Sequence, residues 1–169
     1  MKVLPSEIVA DHITTLRDAR HPEKHSLKDI LILYLAPVGV GVLGALYGTP
    51  TPDVASLLAA VAVLTGLIFN LSFHVFDKSI QMRNDPFQSA DDNAIGLVDE
   101  LQSNVNYTIL VGIVLTGVLT SMTLFEAPRN LGILVAISTG IVSATMIHML
   151  LMCGMILKRF KSLHAAMKP

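Results

Sequence analysis

VASLLAAVAVLTGLIFNLSFHVF, residues 54–76, contains no Asp, Glu, Lys or Arg. A helix needs about 20 predominantly apolar residues to cross a hydrocarbon core about 30 Å thick. This stretch meets that length, as do three other uncharged runs: 30–48, 107–125 and 131–157. Four crossings put both ends of the chain on one side. The segments on that side hold Lys2, Arg17, Arg20, Lys24 and Lys28, then Lys78 and Arg83, then Lys158, Arg159, Lys161 and Lys168. The two short loops opposite hold only Arg129, so eleven of the twelve Lys and Arg residues share a face. Cations are retained in the cytoplasm during insertion. The pattern predicts a multi-pass protein of the bacterial inner membrane with both termini cytoplasmic.

Outward from that run, the polar residues of this 169-residue chain fall in blocks between the apolar runs. There is room for one membrane unit and no separate soluble domain. The expected fold is all-α, a four-transmembrane-helix bundle. Residues 1–29 would form a cytoplasmic amphipathic helix and linker. Residues 30–157 would form the membrane domain, with a cytoplasmic hairpin at 77–106, and 158–169 a cytoplasmic helix end. Charges run throughout residues 1–29, so the first run reads as an uncleaved insertion signal rather than a secretory leader. Cys153 is the only cysteine, which precludes an intrachain disulfide and suits a small buried hydrophobe.

Between Ser6 and Arg20, the residues Ile8, Val9, His12, Ile13 and Leu16 share one helical face. Such a helix can lie on the membrane or pack on the inner ends of other helices. His21-Pro22 is the expected stop, and Ser26 with Asp29 makes a capping-box-like start for the first crossing. Pro37 predicts a kink there, used for packing or as a hinge. The second crossing should run on to about Arg83, where Asn84-Asp85-Pro86 breaks it. Ala94, Val98, Leu101 and Val105 then repeat at four-three-four spacing, a heptad-like seam leading into the third crossing. Ile156, Phe160, Leu163 and Met167 continue a seam past the fourth. Helices 2, 3 and 4 should therefore outgrow the bilayer as a cytoplasmic stalk.

Small residues let membrane helices approach closely. Gly44 and Gly48 form such a pair, and Gly132, Ala136, Gly140 and Ala144 form a row with four-residue spacing. That row is either an ordinary helix contact or a subunit interface. His148 continues it at membrane depth, where an ionisable residue points to function. Asn70 and His148 are the pore or gate candidates; a hydrogen-bonded packing role is the competing account of each. Asn70, His74, Asp77 and Gln81 make one polar face, and Asp99, Gln102 or Ser103, and Asn106 a comparable one. His74, Asp77, Asp99 and Asn106 are the cytoplasmic vestibule candidates, the alternatives being a structural network or a solvated face.

Catalytic signals are poor. His74 and Asp77 give only H-x-x-D, and no complete zinc set, phosphate-cradling loop or nucleophile elbow is present. No cofactor or metal is expected, and the chain is not read as an enzyme.

Leu67-Ile68-Phe69-Asn70-Leu71 with Phe76-Asp77, then Leu97-Val98-Asp99-Glu100-Leu101 and Asn104-Val105-Asn106-Tyr107, resemble the small four-crossing membrane subunits of bacterial anti-phage systems of the Kiwa and Hailong types. The resemblance covers the second and third helices and the general topology. It implies a homo-oligomer such as a tetramer, acting as a gated channel effector or as a membrane sensor with a cytosolic partner. The leading expectation is thus a homo-oligomer that forms or gates an ion pathway in answer to a cytoplasmic signal. That signal would be a partner protein, a nucleotide or an oligonucleotide. The alternatives are a membrane-anchored sensor or scaffold recruiting a soluble partner, and a small transporter subunit or membrane enzyme.

Overall fold

A computed structural model describes residues 5–18, 21–25, 30–47, 53–85, 92–124 and 132–166. The described chain is dominated by helix. Three helices are long and apolar enough to cross a membrane. They are α3 (Val54–Asn84), α4 (Asp92–Leu124) and α5 (Gly132–Ala166). Their 31, 33 and 35 residues each exceed what a hydrocarbon core requires. The first apolar run is shorter. Leu31–Leu35 is π-helical and leads into α2 (Ala36–Tyr47). Together they rise about 25 Å, somewhat less than the core thickness. Gly48, the turn at 49–52 and the Ser26–Asp29 cap lie outside the described residues.

The amphipathic N-terminal segment forms α1, Pro5–Thr15, ending before the expected His21-Pro22 stop. Its last turn tightens through a Leu16 N–H bond to the Ile13 carbonyl at 3.2 Å. A short antiparallel pair then follows, β1 (Arg17–Asp18) with β2 (His21–His25). This short ribbon is the one extended pairing among the described residues, and the rest of the described fold is helical, as the all-α expectation has it. Pro22 within β2 cannot sit in a helix interior, and β-ribbon edges tolerate it.

The helices pack as an open row rather than a ring: α3 against α4, α4 against α5, α5 against α2, with α1 laid on α4. α3 joins α4 through Val61, Ile68, Val75 and Met82, one buried residue every seven. On α4 the facing seam includes Ala94, Val98, Leu101 and Val105, all buried. Heptad spacing of this kind keeps one apolar face turned to a single partner along a long helix. The seam tightens at Gly112, where a β-carbon would collide with the Thr65 side chain. Asp53 starts α3 by accepting the Ser56 N–H at 2.9 Å.

α2 and α5 meet through small residues. A β-carbon on Gly41 would stand 2.8 Å from that of Ala144, and one on Gly140 2.8 Å from the Gly41 carbonyl oxygen. Gly44 faces Ser143 in the same way. Much of the small-residue row on α5 is therefore spent inside the chain, against α2. Gly132 is exposed with open space beside it, and Ala136 is partly buried.

Candidate functional site

The most buried polar groups sit where α1 lies across α4. His12 and Asn104 are both fully buried. His12 Nδ1 lies 2.8 Å from Asn104 Oδ1, and the Thr15 hydroxyl lies 3.0 Å from the same oxygen. An amide oxygen only accepts, so the His12 proton sits on Nδ1. The imidazole also stacks on Tyr107, with centroids 4.0 Å apart and planes 9° from parallel. α5 closes the site from below. Arg159 donates to the Thr15 carbonyl at 2.6 Å and pairs with Glu100. A cation at that place complements the negative end of α1 and holds its last turn. Burial pushes His12 from 6.5 down to about 4; the Asn104 bond opposes the shift, and the nearby positive charge of Arg159 reinforces it. His12 Nε2 and Asn104 Nδ2 are buried without a hydrogen-bond partner among the described residues.

A second polar group lies on the other side of Tyr107. His148 Nδ1 is 2.8 Å from the Leu33 carbonyl oxygen, and His148 Nε2 is 3.0 Å from the Tyr107 hydroxyl. The cause is in the sequence. Pro37 has no N–H, so the Leu33 carbonyl four residues earlier loses its α-helical donor. The chain answers with the π-helical turn Leu31–Leu35 and with an imidazole from α5. A carbonyl cannot donate, so the His148 proton is on Nδ1 and Nε2 accepts from Tyr107. Tyr34 approaches the same group, with its ring centroid 5.3 Å from that of His148.

The sequence-derived candidates divide among three places. His148 lies inside the chain between α2, α4 and α5, not on a face shared with Asn70. Asn106 bonds Ser72 at 3.1 Å and Gln102 at 3.0 Å, within the α3–α4 seam. Asp99 pairs with Arg83 across the same seam at 2.6 Å. Asn70, His74 and Asp77 are exposed on α3 and make no hydrogen bond to another described residue. They fall within an arc of about 60° at 100° per residue, opposite the face that packs on α4.

Comparison with family models, with curated proteins and with solved structures gives no match for this chain. The likeness to phage-defence subunits therefore rests on the residues quoted above alone. The sequence reading also passed over Asn104, Tyr107, Tyr34, Glu100 and Arg159 as site residues. One signal was present: His12 on the apolar face of an amphipathic helix needs a buried partner. Which residue supplies it depends on where α1 docks.

Proposed function

We propose that this chain is a four-crossing inner-membrane protein whose copies assemble around an ion pathway lined by α3, as a membrane effector of phage defence. α1 and the inner ends of α3, α4 and α5 then lie in the cytoplasm and receive the signal. One observation carries the reading. α3 turns Asn70, His74 and Asp77 away from its own partner helix, and Asn70 lies at a depth that hydrocarbon would occupy. Only 17% of the apolar window of α3 is buried inside the chain, against 33% for α4. An amide facing lipid is costly, whereas a ring of asparagines around a symmetry axis can donate and accept among its own members. Asp77, near the inner end, adds negative charge that attracts cations.

Outward from Asn70, Gly66, Val63 and Ala59 continue this face, within an arc of about 80°. An apolar constriction there blocks ions by dewetting. Val63→Asn should hydrate it and raise ion leak from protein-loaded vesicles at least about tenfold, and adding Asn70→Leu should suppress the leak. An oligomeric Val63→Asn protein with tight vesicles would sink the pathway.

The buried seat of α1 favours a second reading, a sensor or scaffold in which α1 is the moving part. Loss of a cytosolic partner on deleting α1, with vesicle permeability unchanged, distinguishes it.

A further inference from the structure

Tyr107 belongs to both polar groups. Its ring lies flat on His12, with centroids 4.0 Å apart, and meets His148 at right angles. Its hydroxyl donates to His148 Nε2 at 3.0 Å, and His148 gives its one proton to the Leu33 carbonyl at 2.8 Å. A continuous path of ring stack and hydrogen bonds therefore runs from α1 through α4 and α5 to the π-helical turn before α2.

An apolar path runs beside it. Leu16, just past α1, and Leu33, in the π-helical turn, are 2% and 5% exposed. They share one small core with Tyr107 and Met152, against which Ile8 and Val9 of α1 also pack. This core is distinct from the one that joins α3, α4 and α5, and no residue of α1 belongs to the latter. Lifting α1 away uncovers Leu33 and bares one face of the Tyr107 ring, and it leaves the α3–α4 seam intact.

The turn has a second arrangement open to it. Pro37 denies Leu33 an α-helical donor, so the turn is held by the His148 bond and by the cover over Leu33. A change between i→i+5 and i→i+4 bonding carries Leu33 around the helix axis and off the shared core. Docked α1 and the π-helical turn thus stabilise each other. α2 is also free to respond, because it is an edge of the row with Val38, Val42 and Leu46 exposed.

We propose that α1 is a latch on α2: seated, it holds the π-helical turn, and released, it frees the inner end of α2 to change register. A ligand that lifts α1 from its seat then acts on an apolar helix of the bundle. Both halves of the latch lie within one chain, so the inference does not depend on the ion-pathway reading.

Hydrogen exchange in the full-length protein, held in lipid nanodiscs, reads both ends of the latch. The double substitution His12→Ala and Leu16→Ala removes the ring stack, a buried hydrogen bond and the apolar plug. It should raise exchange in α1 and, at least about fivefold, in residues 31–36, with residues 61–75 of α3 unchanged. Linkage requires the reverse effect. His148→Leu withdraws the bonds to Leu33 and Tyr107 and alters no residue of α1, and it should raise exchange in α1 by a similar factor. Release of α1 with parental protection at residues 31–36 overturns the latch. So does a His148→Leu protein whose α1 is as protected as the parent's. A uniform rise that includes α3 overturns it too, since α1 would then support the whole bundle. An α1 that stays protected in the double variant has the same force, since its seat would not be what holds it.

Discussion

At the scale of single residues, two histidines are held by opposite logic. His148 donates to a carbonyl that Pro37 has orphaned, so a helix distortion and a distant imidazole form one unit. His12 is stacked and bonded on one nitrogen and bare on the other. Protonating it would put a charge and a second N–H where no described residue offers an acceptor. Its proton affinity is lowered on docking, from 6.5 to about 4. The docked form therefore binds fewer protons than the released one between those values, and docking is fully stable above the upper value. As the pH falls through this window, the docking of α1 should weaken by roughly 1.4 kcal/mol per unit. Hydrogen exchange over α1, corrected for intrinsic rates, should lose protection between pH 7 and 4.5. His12→Phe keeps the ring stack without the titration and should flatten the profile. Identical profiles for the two proteins would remove His12 as the cause.

At the scale of elements, the two principal seams are built differently. α3 and α4 use β-branched and long apolar side chains at heptad spacing, and α2 and α5 use backbone contact. The second design is unforgiving. A valine at Gly140 must displace the Gly41 backbone, and overpacking of that kind typically costs about 1–3 kcal/mol. Gly154, on the same helix, has nothing within 4 Å, so alanine there should be neutral or slightly stabilising through better helix propensity. Thermal unfolding in one detergent should separate Gly140→Val from Gly154→Ala by several degrees. Equal melting temperatures would mean that the α2–α5 contact does not hold the fold together.

At the scale of the whole molecule, an open row of helices leaves two edges, α2 and α3, with large apolar faces. Lipid can cover an apolar edge, but it cannot satisfy Asn70. The α3 edge is therefore the expected meeting place of copies. In a Cys153→Ser background, Gly66→Cys should cross-link between chains in native membranes, and Gly39→Cys on α2 should not. Cross-linking at residue 39 alone would move the shared surface to α2 and sink the α3-lined pathway.

Charge-free length makes the three long helices legible in the sequence, and the run of buried positions at Ala94, Val98, Leu101 and Val105 is readable there as a period. Periodicity and hydropathy are local, set by one helix and its surroundings. The partners of His12, the use of Gly140 against Gly41 and the inward turn of His148 were not readable. Each joins residues about a hundred positions apart, and any of several helix orders would satisfy the same apolar patterns. The sequence by itself determined which segments are helical and apolar, because solvation acts on each segment separately. Only the tertiary structure decided which polar groups meet, because hydrogen bonds need atoms within about 3 Å, and helix packing alone sets that distance.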